Sequence, residues 1–178
     1  VYYECSKDER IPNVVYNVLK NYYELLQSGA IKLFDWGKFR WYETFIAIKF
    51  TYEHFREDWL LGLAEILKNQ GADYNELTEL WKTPLNRWRF DTHIVNIAMA
   101  LKAEALTADI FKTDYTDNAG ALYDILKKYN GTPVGTFTGD ECLAGLSPIQ
   151  GTELCSVTEL MYSYEWLYAY TGDKKWAE

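Results

Sequence analysis

Residues 153–171 read ELCSVTELMYSYEWLYAYT. Apolar side chains recur three or four positions apart along this stretch, as they do on the buried face of an α-helix. They are Leu154, Val157, Leu160, Met161, Tyr164 and Leu167. The spacing predicts one long helix, and its apolar face must be covered by other elements of the chain.

The same spacing extends outward over most of the chain. It predicts five further helices, over residues 14–25, 45–52, 59–67, 94–108 and 121–126. Ser28-Gly29, Gly71 and Asn130-Gly131 are typical of the positions that end a helix. Only residues 132–138 resemble a strand. The sequence therefore predicts an all-α protein.

The helices follow an internal repeat. In each repeat an aromatic-rich turn precedes an acidic residue that begins the next helix. The acidic residues are Asp58, Asp114 and Asp173, at intervals of 56 and 59 residues, and a weaker copy lies near Asp8. A period of this length is typical of stacked helical hairpins, here an outer helix, a long loop and an inner helix. We expect residues 1–178 to form one partial α/α toroid. Three hairpins are too few for a closed ring, so domain swapping or a homodimer is expected to cover the exposed faces.

Composition excludes two classes of partner. The net charge of −8 argues against nucleic acid and anionic membranes, because both require a basic surface. No apolar run reaches the roughly 20 residues of a membrane span. Aromatic residues make up 17% of the chain, which suits either a large core or a cleft that stacks on sugars. Three cysteines do not suit a purely disulfide framework.

Three long loops, at residues 34–42, 86–93 and 137–155, occupy equivalent places in the repeat. We expect them to meet at one rim of the ring, where a rigid scaffold commonly carries its functional loops. Their tryptophan, arginine, histidine and amide side chains are the types that bind sugars. The candidate substrate-binding residues are Trp36, Arg40, Trp88, His93 and Gln150.

The third loop also contains two carboxylates. Glu141 precedes Glu153 by 12 residues, and the glycines and proline between them allow the loop to fold back. Paired carboxylates are the usual groups of glycoside hydrolysis. Glu153 and Cys155 begin a helix, with Thr152 as its expected N-cap, and a carboxylate with a thiolate favours zinc. The alternative is a structural cysteine beside an exposed first-turn glutamate.

Phe137-Thr138-Gly139-Asp140-Glu141, followed by Gln150-Gly151-Thr152-Glu153-Leu154-Cys155, resembles glycoside hydrolase family 127, the β-L-arabinofuranosidases. An acidic residue, a loop and a Glu-x-Cys motif at the start of a helix are typical of that family. The segments 36–42, 52–61 and 93–98 are also similar to it, so the resemblance covers nearly the whole chain.

The resemblance implies an (α/α)₆ barrel followed by β-sandwich domains, the latter outside this chain. It implies a retaining, zinc-dependent glycosidase in which Glu141 is the acid/base, Glu153 and Cys155 bind zinc, and His93 hydrogen-bonds the sugar. The cysteine nucleophile and the remaining zinc ligands are expected beyond residue 178. The middle residue of the motif is Leu154, where the family usually has threonine, so the substrate is L-arabinofuranose or another rare sugar of plant glycans. The resemblance favours a bacterial enzyme of the periplasm or outside the cell.

Two other functions are compatible with the sequence. One is an α/α-toroid polysaccharide lyase or sugar epimerase without zinc, in which Tyr42 or His93 removes a proton. The other is a non-catalytic scaffold that binds glycans with the same hairpins. A Cys-Cys pair downstream of this chain would support the zinc enzyme over both.

Overall fold

A computed structural model of the chain describes residues 2–83, 87–147 and 149–177. Asn86, the first residue of the second predicted loop, and Pro148 in the third lie outside the described residues. The described part is mostly helical and contains no strand, which confirms the all-α class. Contacts divide the chain into two compact units, Val1–Gly71 and Ala72–Glu178.

The first unit is built on three mutually packed helices. Its helices are α1 (Tyr2–Ser6), α2 (Arg10–Gln27), α3 (Asp35–Phe39), α4 (Thr44–Phe55) and α5 (Trp59–Gln70), with a 3₁₀ turn at Trp41–Glu43. Helices α2, α4 and α5 pack on one another. Buried side chains of α4 and α5 form most of its core, among them Phe45, Ile48, Leu60, Leu63 and Leu67. Trp41 packs so closely on Gly71 that a Cβ there would collide with the indole ring.

The second unit pairs helices around a fully buried segment. Its helices are α6 (Tyr74–Trp81), α7 (Ile94–Ala100), α8 (Ala103–Phe111), α9 (Asn118–Asn130) and α10 (Leu154–Thr171), with 3₁₀ turns at Phe90–Thr92 and Lys174–Trp176. Helix α10 packs on α7 and α8, whereas α9 packs on α6 and α8. All seven residues of α7 are buried. This helix is therefore the centre of the unit, and described residues of the second and third candidate loops lie at its N-terminal end.

The structure corrects the sequence prediction in three places. The single helix expected over 94–108 is two helices, α7 and α8. Side chains hydrogen-bond the backbone carbonyl groups where α7 ends: the hydroxyl of Ser163 donates to Ala98 O at 2.7 Å, and Lys102 Nζ donates to Met99 O at 3.3 Å. Helices α1, α3 and α6 were not predicted, and α3 lies within the segment 34–42 that was expected to be a loop. Residues 132–138 form no strand, and only the isolated bridge between Gly131 and Phe137 remains.

Among the described residues, no helix combines the length and the apolar character that a membrane span requires.

Candidate functional site

The loop 137–153 is anchored at its base by one buried side chain. Asn130, the last residue of α9, has no exposed surface. Its Nδ2 donates to Trp81 O at 2.8 Å and its Oδ1 accepts from Gly145 N at 3.0 Å. Its backbone carbonyl accepts from Thr138 N at 2.8 Å. A single asparagine thus joins α6, α9 and both sides of the loop.

The middle of the loop pairs with the segment that enters α7. Ile94 N donates to Glu141 O at 2.8 Å, and Leu143 N donates to Thr92 O at 2.9 Å. His93 and Cys142 are therefore opposite each other in a short antiparallel bridge. Backbone pairing, rather than side-chain contact alone, fixes Glu141 beside His93.

A second set of backbone hydrogen bonds brings in Glu153. Gly139 N donates to Gly151 O at 2.7 Å, and Glu153 N donates to Gly139 O at 3.1 Å. Gly139 has a φ of +154°, and a Cβ at this position would collide with the carbonyl oxygen of Cys142. Because only glycine readily adopts such backbone, this residue allows the two halves of the loop to approach. The predicted folding-back of the loop is observed.

Three ionisable groups converge as a result. One ligand atom each from His93, Glu141 and Glu153 lies within 4.8 Å of the others. His93 Nε2 is 3.2 Å from Glu141 Oε2, and the Glu141 side chain is 60% exposed whereas that of His93 is 5% exposed. We call these three residues, with Trp88, the carboxylate cluster.

Trp88 forms one edge of the carboxylate cluster, beside Glu141. Its indole Nε1 donates to Glu141 Oε2 at 3.1 Å, and its ring packs edge-on against Phe90, with 4.6 Å between ring centroids. The residue is still 45% exposed. An aromatic ring held in place by a hydrogen bond, with part of its surface open, suits stacking against a sugar.

The structure gives His93 different partners from those expected of a sugar ligand. His93 is the N-cap of α7, and its Nδ1 accepts from Asn96 N at 3.3 Å. A nitrogen that accepts a hydrogen bond carries a lone pair, so the ring proton is on Nε2. His93 Nε2 lies 3.2 Å from Glu141 Oε2. His93 is therefore a buried residue that caps α7 with one ring nitrogen and approaches one oxygen of Glu141 with the other.

Glu153 and Cys155 have the chemistry of two zinc ligands. Glu153 is the N-cap residue of α10, and its Oε2 is buried without a hydrogen-bond partner among the described residues. A hydrogen bond to Glu153 raises the pKa of the Cys155 thiol above its usual value. Without a cation the sulfur therefore keeps its proton, and a metal ion would replace that proton. The pair fits two positions of a zinc site, which needs further ligands.

Thr152 is not the N-cap that the sequence suggested. Its hydroxyl donates to Phe137 O at 3.0 Å and closes the base of the loop. The helix begins one residue later, because the backbone of Glu153 is engaged by Gly139.

The remaining candidate residues are Gln150, on the loop that carries the cluster, and Trp36 and Arg40, in the first unit. Gln150 is exposed on the same loop, and its backbone N–H donates to Ser147 O at 3.3 Å. Trp36 and Arg40 belong to the first unit, where the guanidinium carbon of Arg40 lies 4.3 Å from the centre of the Trp36 ring. Their assignment to substrate binding stays a prediction.

Sequence reasoning did not foresee three residues that shape the site. Asn96 fixes the tautomer of His93, and the three-residue spacing between them is the signal that an N-cap interaction would leave. Cys142 exchanges hydrogen bonds with the backbone of Arg89, accepting from N–H at 3.3 Å and donating to the carbonyl at 3.5 Å. Asn130 carries no local signal, because its partners are distant in sequence.

Comparisons with protein-family models, with curated proteins and with solved structures found no match for this chain.

Proposed function

We propose that this chain carries the acid/base part of a retaining glycoside hydrolase site, within helical hairpins that form part of an (α/α)₆ toroid. The observation that carries the proposal is the convergence of Glu141, Glu153 and His93 beneath the exposed Trp88. The retaining class is what the family resemblance implies, because a cysteine nucleophile would form a covalent glycosyl intermediate that water then cleaves.

Glu141 is the acid/base in this proposal. Its side chain is the most exposed of the three, so it can reach a glycosidic oxygen above the loop. Glu141 gives its proton to that oxygen as the bond to the anomeric carbon breaks. It then takes a proton from the water molecule that completes hydrolysis. Trp88 offers an aromatic surface beside the bond that is cleaved.

Glu153 and Cys155 would hold zinc, together with the further cysteines that the family resemblance places outside this chain. When bound, zinc would supply a cysteine nucleophile with a lowered pKa. The substrate suggested by the resemblance is L-arabinofuranose or another rare sugar of plant glycans.

The charge of the site favours a neutral sugar over the uronates that polysaccharide lyases cleave. Two carboxylates face the same opening, and the guanidinium of Arg89 is held in a two-point ion pair with Asp91, with Nε 2.7 Å from Oδ1. A lyase must neutralise the carboxylate of its substrate. Tyr42, the alternative proton acceptor, has no exposed surface. Both observations favour the hydrolase.

The test uses the natural polypeptide that contains this chain, assayed with aryl glycosides of L-arabinofuranose and of other neutral sugars. Glu141→Gln is expected to reduce kcat about 100-fold or more, which is the usual contribution of a general acid. Azide is expected to restore turnover of an activated substrate by forming a glycosyl azide of retained configuration. Asp140→Asn, which removes the neighbouring exposed carboxylate, is the matched control and should keep activity.

Metal content tests the zinc ligands separately. Glu153→Gln and Cys155→Ser are each expected to lower the zinc retained after dialysis, measured by elemental analysis, whereas Asp140→Asn is not. Wild-type activity in Glu141→Gln would remove the proposed acid/base. Normal zinc retention in both ligand variants would remove the metal site while leaving the Glu141 result intact.

A further inference from the structure

We infer that the first unit binds an acidic polysaccharide, one that carries uronate carboxylates, on a surface of exposed aromatic and basic side chains. This basic aromatic patch consists of Lys32, Phe34, Trp36, Lys38 and Arg40. Binding at the patch is a property of the first unit alone. What it says about the substrate rests on the proposed function: the glycan would carry both a neutral sugar for cleavage and uronates for attachment.

The patch is basic within an acidic protein. Residues 31–40 contain three cations, Lys32, Lys38 and Arg40, and one anion, Asp35, which gives this segment a net charge of +2. Since the whole chain has −8, the remaining residues total −10. Both lysines are exposed, and neither forms an ion pair with another described residue. A carboxylate that approaches the chain is therefore attracted to this segment and repelled elsewhere.

Two aromatic side chains are exposed between these cations. Phe34 is 74% exposed and Trp36 is 42% exposed. Neighbouring apolar side chains that stay open to water commonly mark a contact surface, and aromatic faces pack well against the C–H faces of sugar rings. The guanidinium carbon of Arg40 lies 4.3 Å from the centre of the Trp36 ring, a contact that holds the indole in place. The patch thus offers ring faces and positive charge together.

Hydrogen bonds fix the backbone that carries the patch. Leu33 N donates to the side-chain oxygen Oε1 of Gln70, at the end of α5, at 2.9 Å. Arg40 N donates to Trp36 O at 2.9 Å. Asp35 has a φ of +43°, a conformation that costs free energy for any residue other than glycine and persists only where its surroundings impose it. A surface with a fixed backbone loses less entropy when it binds a ligand.

This combination favours a polyuronate over nucleic acid. Duplex DNA carries one negative charge per about 1.7 Å of its length, and the acidic remainder of the chain would repel so dense a polyanion. A polyuronate spaces its carboxylates one to a sugar ring, and the ring faces between them can pack on Phe34 and Trp36. Two exposed lysines suit two such carboxylates.

The test is affinity electrophoresis of the natural polypeptide that contains this chain, with each mobility referred to a gel without polymer. The probes are polygalacturonate and the same polymer after methyl esterification, which removes the charge and keeps the sugar rings. We expect the acidic polymer to bind about fivefold or more tighter than the ester.

Variants locate the binding. Lys32→Glu and Lys38→Glu are each expected to weaken binding of polygalacturonate about fivefold or more, and Phe34→Ala about threefold. Asp35→Asn removes the one carboxylate of the segment and keeps a residue type that tolerates positive φ, so it is expected to strengthen binding. Lys127→Glu is the matched control, because it reverses an exposed charge on α9 and changes the net charge equally. It should bind like the wild type.

Four results would overturn the inference. They are no retardation by polygalacturonate, equal retardation by the acid and the ester, equal losses in Lys38→Glu and Lys127→Glu, and tighter binding of single-stranded DNA than of polygalacturonate. The last would assign the patch to nucleic acid.

The binding result is independent of hydrolysis. Glu141→Gln is expected to bind polygalacturonate like the wild type, because Glu141 belongs to the second unit. Binding of polygalacturonate by a protein that cleaves no glycoside would remove the proposed function and leave the patch. Cleavage of glycosides without such binding would remove the patch and leave the proposed function.

Discussion

Replacing Asn130 by alanine tests whether one buried amide anchors the candidate site. The change removes the hydrogen bonds to Trp81 O and from Gly145 N, at 2.8 and 3.0 Å. Each buried hydrogen bond contributes about 1–1.5 kcal/mol net, and partners left unpaired in the interior add to the cost. Alanine returns about 0.5 kcal/mol of helix propensity at the end of α9. We expect the free energy of unfolding to fall by about 2–3 kcal/mol.

The measurement is urea unfolding followed by tryptophan fluorescence. Asn13→Ala is the control, because that exposed amide makes one long hydrogen bond, 3.4 Å to Glu9 O. It should change the free energy of unfolding by less than about 0.5 kcal/mol. Asn130→Asp keeps the acceptor for Gly145 but turns a carboxylate oxygen towards the Trp81 carbonyl, so it should destabilise at least as much as alanine. A loss below about 1 kcal/mol in both Asn130 variants would show that the loop has other anchors.

Three further predictions concern the second unit. Gly139→Ala should lower the free energy of unfolding by about 3 kcal/mol, because the backbone conformation favours glycine and a Cβ would collide with the carbonyl oxygen of Cys142. Gly172→Ala is the control: its φ is +69° but the space around it is open, so it should cost about 1 kcal/mol. Equal losses of unfolding free energy in urea would contradict the collision. Glu104→Ala should lower the free energy of unfolding by about 1–2 kcal/mol, because this carboxylate accepts two backbone hydrogen bonds of 2.7 Å at the start of α9. The control is Glu165→Ala on the exposed side of α10, which should leave the free energy of unfolding nearly unchanged. Burial raises the pKa of Tyr164 above its usual value, so the stability from its neutral form is complete below about pH 10 and falls as pH rises further. Tyr164→Phe should flatten the dependence of stability on pH above 10, and an unchanged slope in alkaline unfolding would refute that role.

The sequence by itself determined most of the long helices, because the three- to four-residue spacing of their apolar side chains is local information. It also indicated that loop 137–155 folds back, since glycines separate its two carboxylates. Helix α6 was open to the same reasoning: Asp73 is its N-cap, accepting from Asn75 N at 2.9 Å, and Glu76 follows three residues later. Asp at the N-cap with Glu three positions on resembles the pattern that begins many helices.

Only the tertiary structure decided which groups meet. Asn130 contacts residues 49 positions before it and 15 after it, and Trp88 reaches Glu141 over 53 positions. Such pairings leave no periodic trace, because they depend on how α6, α9 and the loop pack. The same holds for His93: its residue type suggested a ligand of the sugar, but it is buried, its Nδ1 accepts from the N–H of Asn96, and its Nε2 lies 3.2 Å from Glu141 Oε2. Local spacing determined the helices, and backbone pairing over long distances determined the site.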